Sequence, residues 1–158
     1  MNVNLKPVLV IGGGISGITA AIELTETGKE VVIIEKLPYL GGNVALMNNY
    51  FPKLCPPSCG LEINFKRIRN NSRIHIYTET IIKELSGSPG DFTVVLQKAP
   101  QYIKDNCTAC GKCAEVCPVT RPNAFNFGFD DTKAAYLPHD MAFPMKFVID
   151  GDYCKKED

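Results

Sequence analysis

Four cysteines crowd the stretch "DNCTACGKCAEVCPV", at Cys107, Cys110, Cys113 and Cys117, with Pro118 directly after the last. The gaps of two, two and three residues let a short chain wrap one object and turn several thiolates toward it. Thiolates are soft, anionic ligands that suit iron and inorganic sulfide. Zinc ribbons use two separated cysteine pairs, and a disulfide framework leaves this regular spacing without a reason. The pattern therefore predicts a [4Fe-4S] cluster. Gly111 gives the loop room to turn, and Pro118 ends it.

A second chemistry lies near the start. Gly12-Gly-Gly14-Ile-Ser-Gly17 fits G-x-G-x-x-G. The apolar run at residues 7–11 predicts a buried parallel strand before it, and residues 15–27 predict a helix after it, stopped by Gly28. In that setting the first glycine makes the turn, the second admits a pyrophosphate, and the third lets helix and strand pack. The helix N-terminus then offers free N–H groups to phosphate. Residues 30–35 predict the next strand, ending on Glu35, an acid placed to accept from a ribose hydroxyl.

Further along, residues 36–58 are turn-rich and predict a long loop holding at most a short helix. A helix at 61–70, a strand at 73–77 and a hairpin of 80–85 with 92–96 follow. The fold class is α/β: a Rossmann-like dinucleotide-binding domain at 1–102 and an iron–sulfur segment at 103–158. After residue 120 the periodicity is lost, and a short strand at 148–149 leads to Cys154.

Composition narrows the classes. The chain has 158 residues, 45% of them hydrophobic, enough for a packed core. Lys plus Arg and Asp plus Glu are 17 each, so no basic surplus argues for nucleic acid or an anionic membrane. The stretch at 7–22 is too short and too rich in glycine to span a bilayer, so no direct membrane insertion is expected. Seven cysteines, four of them clustered and without an export signal at the start, predict thiolates kept reduced in the cytoplasm.

Resemblance adds detail. Glu35-Lys36 followed five residues on by Gly41-Gly42 resembles the two-dinucleotide-binding flavoproteins, which implies FAD, with Gly12, Gly14, Gly17, Glu35, Lys36, Gly41 and Gly42 as its contacts. The cysteine run resembles the bacterial ferredoxin motif. In two-cluster ferredoxins the fourth cysteine serves the other cluster, which would divide Cys107, Cys110 and Cys113 from Cys117 and make Cys154 the first cysteine of a second motif. A flavin fingerprint with a ferredoxin-like insert resembles the A subunit of heterodisulfide reductase, and its quinone-interacting membrane-bound relative in sulfate reducers most of all. Three stretches carry this: residues 10–17, 49–62 and 133–144. The resemblance implies the N-terminal part of a longer chain. It also implies an electron-transfer component of an oxidoreductase, working between FAD and clusters beside partner subunits, a membrane-bound quinone-interacting one among them.

Cys55 and Cys59, in Cys-Pro-Pro-Ser-Cys, leave three readings open: a redox dithiol beside the flavin, ligands of another cluster, or inert thiols in a proline-stiffened loop. The first would make the protein a pyridine-nucleotide–disulfide oxidoreductase instead. A cluster-bearing scaffold without flavin is a third class. His75 is expected to pack within its strand, and His139 sits between prolines. Lys66, Arg67, Arg69 and Arg73 are expected on a solvated helix face.

Overall fold

Four apolar residues, Val8–Ile11, form β1, and the chain turns through the glycines into α1, Ile15–Glu26. The computed structural model describes residues 6–154 except Lys53. Ile18, Ala21, Ile22 and Thr25 fall at helical spacing and are the buried stripe of α1. The helix stops at Thr27, and Gly28 follows at φ +85°, the left-handed turn that a glycine makes without strain.

The chain returns as β2, Val31–Ile34, parallel to β1 with Val8 opposite Val31. A loop, α2 (Ser58–Arg69) and β3 (Ile74–Tyr77) follow. β3 pairs parallel on the far side of β2, giving the order β1-β2-β3. Val31, Ile33 and Leu40 are fully buried, and Leu61, Phe65 and Ile68 bring the apolar face of α2 to the same core. Arg67 pairs with Glu26 of α1, and Arg73 donates to the Thr25 carbonyl. Lys66, Arg67, Arg69 and Arg73 are all exposed, as the solvated face expected for them requires, and Arg67 and Arg73 also reach across to α1.

Two expectations shift. Helix α2 begins at Ser58, three residues early, because Pro57 already holds φ −65° and ψ −17° and its carbonyl accepts the Leu61 N–H at 3.0 Å. Cys59 therefore stands in the first turn of a helix. His75 lies exposed on β3, an edge strand of this sheet, rather than packed within it.

The hairpin is longer than its apolar residues suggested. β4 (Thr80–Ser88) and β5 (Asp91–Lys98) pair antiparallel around Pro89-Gly90, with a register shift between Ile82 and Glu84. The chain divides into two compact units after Ala99.

In the second unit, α3 is a single turn, Lys112–Val116. β6 (Thr120–Pro122) pairs with β7 (Asp131–Lys133), and β8 (Ala135–Tyr136) with β9 (Val148–Ile149), all antiparallel. These strands are two or three residues long, too short for a period-2 pattern to stand out in sequence. Among the described residues no helix is long and apolar enough to cross a membrane.

Candidate functional site

The glycine turn is clasped by backbone. The Gly12 N–H donates to Ile34 at 2.8 Å, and the Gly41 N–H donates to Gly13 at 2.7 Å. Gly14 and Gly41 form a parallel bridge, so the Gly41-Gly42 pair sits directly on the glycine turn. Gly12 holds φ +94°, open to glycine at little strain. A side chain on Gly17 would begin 2.0 Å from the Gly12 carbonyl oxygen, so the third glycine is required by packing. Gly14 has no neighbour within 4 Å of that position, so its space stays open.

That space belongs to a cavity of about 350 Å³ lined by Gly12, Gly14, Gly17, Gly41, Asn43 and Val44. The N-terminus of α1 has no side-chain cap, which leaves its first N–H groups available to a phosphate there. A second cavity of about 240 Å³ shares Ile15 and Val44 with the first and extends to Tyr50, Pro57, Gly60 and Leu61. A glycine-lined cradle at the helix N-terminus thus adjoins an apolar cavity, as a ligand with a pyrophosphate and a ring system requires.

Glu35 is buried at the end of β2. Its Oε2 accepts the Gly13 N–H at 2.7 Å and its Oε1 the Leu37 N–H at 2.8 Å. Each oxygen keeps a further lone pair for a hydroxyl. Lys36 is exposed beside it.

Cys55 lies half-buried and Cys59 exposed. The loop before them closes tightly: the Tyr50 N–H donates to Cys55 at 3.2 Å, and the Leu54 N–H to Tyr50 at 2.8 Å. The Tyr50 hydroxyl bonds to the Cys55 side chain. That bond and the Cys55 charge hold its pKa above the ordinary phenol value, with smaller contributions from burial and Cys59. No motif or spacing marks this phenol in the sequence, yet it lines the apolar cavity next to both thiols.

In the second unit the cysteines share one loop. Ala109 and Gly111 take left-handed φ values of +54° and +82°, curling the chain around the sulfurs. The Ala109 N–H donates to Cys107 Sγ at 3.4 Å, the kind of N–H···S bond that stabilises a ligating thiolate. Burial pushes the Cys113 thiol up. The Ala114 and Cys113 N–H groups partly offset this, and the charges of Cys107 and Cys110 add to it. Those three sulfurs therefore sense one another, and bare thiolates there repel; iron would relieve that repulsion. Cys117 behaves oppositely. N–H groups of Ala135, Val119 and Ala134 and the Lys133 charge outweigh burial and hold its thiol below the ordinary value. Among the described residues no three His, Cys, Asp or Glu side chains converge as a single-ion site requires.

Cys154 lies half-buried, its N–H donating to the Asp150 carbonyl at 2.9 Å. His139 stacks on Phe125 with ring centroids 4.7 Å apart, and burial pulls its pKa down against the opposing Asp140 charge.

Known proteins share both halves of this arrangement. Residues 10–63 match the NAD(P)-binding Rossmann-like domain, and residues 100–119 match the 4Fe-4S binding domain. The A subunit of a ferredoxin:CoB-CoM heterodisulfide reductase from Methanosarcina acetivorans is 42% identical over 150 residues, 92% of this chain and 19% of the relative. The curated relatives that this chain matches along most of its length are heterodisulfide reductase A subunits. The iron-sulfur A subunit of a CoB–CoM heterodisulfide reductase from Methanocaldococcus jannaschii is 39% identical, over 94% of this chain and 23% of the relative. An A subunit from Methanopyrus kandleri is 42% identical, over 89% and 22%. The chain thus spans about a fifth of the length of these relatives. The family match to 4Fe-4S domains contains all four clustered cysteines.

Proposed function

We propose that this chain is part of an electron-transfer protein that holds FAD in its first unit and [4Fe-4S] clusters in its second. The observation that carries the reading is the seating of Gly41 on the glycine turn, beside two adjoining cavities at the N-terminus of α1, in a chain that also carries the cysteine run. A flavin exchanges one or two electrons and a cluster exchanges one, so together they convert between the two.

The residues divide the work. Gly14 and the uncapped first turn of α1 face the pyrophosphate, with Gly12 making the turn and Gly17 its close packing, and Glu35 receives the ribose. Lys36 stands exposed where it can meet the adenosine end. Gly41 and Gly42 keep the floor free of side chains where the ligand crosses. Cys107, Cys110 and Cys113 hold one cluster; Cys117 and Cys154 serve another. Each relative is named as one subunit of a reductase, which supports partner subunits here too. A quinone-interacting membrane-bound partner is the finer reading, supported by residues 49–62, and a cytoplasmic location accords with reduced cysteines.

The alternative is a disulfide oxidoreductase acting through Cys55 and Cys59. One observation favours it: Tyr50, which lines the apolar cavity, bonds to Cys55 and also feels the charge of Cys59.

The test is anaerobic purification followed by iron, sulfide and flavin analysis and EPR of the reduced protein. Flavin with about four irons per cluster is the expected outcome. Flavin with a titratable Cys55–Cys59 disulfide and no iron would favour the alternative, and iron without flavin would leave a cluster scaffold.

A further inference from the structure

Among the described residues three charged side chains are buried: Glu35, Arg121 and Lys146. Glu35 is occupied with the glycine turn, and Lys146 reaches Asp105 at 3.1 Å. Arg121 has no part in the reading above. Burying a guanidinium is costly unless it is paired, so its surroundings matter.

Arg121 lies in β6, four residues after Cys117. Its Nε stands 3.2 Å from Asp150 Oδ2, and its Nη1 donates to the Pro122 carbonyl at 3.0 Å. Its guanidinium lies 4.0 Å over the Tyr136 ring and 6.0 Å from the Tyr153 ring. Three of these four partners adjoin a cysteine or its support. Tyr136 lies two residues after Ala134, whose N–H donates at 2.9 Å to the Val119 carbonyl that also accepts from Cys117 Sγ at 3.6 Å. Tyr153 precedes Cys154, and the Asp150 carbonyl accepts the Cys154 N–H at 2.9 Å. The Asp150 N–H in turn donates to Ala134 at 2.8 Å, next to Ala135. A backbone path thus runs from Cys117 through Ala134 and Asp150 to Cys154, and Arg121 braces it with one ion pair and one stacked ring.

We propose that Arg121 is a positioning residue that fixes the Cys154 turn against the strand bordering Cys117, so that these two sulfurs are held for a common cluster. The inference rests on the electron-transfer reading. Arginine suits the task because its planar fork stacks on a ring while pairing with a carboxylate; lysine keeps the charge and loses the plane.

The test uses the full-length protein, loaded anaerobically, with R121M, R121K, D150N and C154A variants. Iron, flavin and the EPR spectrum of the reduced form are measured for each. R121M and D150N are expected to lose, severalfold, the same EPR signal that C154A loses, with flavin and the remaining signal kept. R121K is expected to retain part of it. Three results overturn the proposal: variant spectra matching the parent, C154A leaving the spectrum unchanged, or R121K and D150N losing flavin and all signals together. A parent protein without iron sinks the electron-transfer reading itself, whereas a loaded parent matched by R121M sinks only the role of Arg121.

Discussion

Glu35 Oε2 accepts the Gly13 N–H at 2.7 Å, while Oε1 accepts from Leu37 at 2.8 Å. The acid that ends β2 therefore also builds the turn that precedes α1. Glu35→Gln replaces one acceptor with a donor that must face a backbone N–H. Leaving a buried donor unsatisfied costs about 1–3 kcal/mol. The expected outcome is a lower Tm together with weaker flavin binding, read by thermal unfolding and by flavin retained on gel filtration. An unchanged Tm would show that the two N–H groups find other acceptors.

Gly14 and Gly17 make a matched pair. Gly17→Ala puts a carbon 2.0 Å from the Gly12 carbonyl oxygen, so the turn must move. Overpacking of this kind destabilises by about 1–3 kcal/mol. Gly14→Ala meets nothing within 4 Å and holds an ordinary φ of −72°. Its stability is expected to stay within about 0.5 kcal/mol of the parent, while its methyl group enters the pyrophosphate space and flavin content falls. Denaturant unfolding and flavin absorbance separate the two effects. A destabilised Gly14→Ala that keeps its flavin would place the cofactor elsewhere.

Much of this site was legible because its demands are local. A strand, three glycines and a helix in under twenty residues leave one arrangement for Gly12, Gly14 and Gly17, and four closely spaced cysteines need no distant partner to be recognised. What was not legible depends on distant residues. Tyr50 owes its interest to folding back onto Cys55, and the start of α2 at Ser58 depends on the backbone angles of Pro57. Arg121 looks like one polar residue in a stretch without periodicity. Only the pairing of β8 with β9 brings Asp150, and so Cys154, within its reach.

Cys113 and Cys117 are displaced in opposite directions, which a thiol reagent can read in the metal-free chain. The thiolate is the reactive form. Cys117, held below the ordinary value, is expected to alkylate first near neutral pH, and Cys113 to follow only as pH rises. Linkage gives the stability sign. The Cys117 contribution is present above its unfolded pKa and lost as pH falls through the lower folded value. The Cys113 contribution is present below its unfolded pKa and lost as pH rises through the higher folded value. Mass spectrometry of peptides after timed alkylation at several pH values checks the order, and equal rates at neutral pH would refute it.

Tyr50 offers a readout of the loop that carries Cys55 and Cys59. Its phenol is held above the ordinary value first by the bond to Cys55 and the charge on that thiol, with burial and Cys59 contributing less. Cys55→Ala removes the two largest causes and should bring Tyr50 back toward ordinary phenol behaviour. Cys59→Ala should move it far less. Ultraviolet titration of each variant, differenced against the same variant carrying Tyr50→Phe, isolates this one phenol. A shift in Cys59→Ala as large as in Cys55→Ala would mean that the two thiols face Tyr50 equally. The tight closure from Tyr50 to Cys55 argues against that, because the backbone bonds at 2.8 and 3.2 Å fix Cys55, and not Cys59, to the tyrosine.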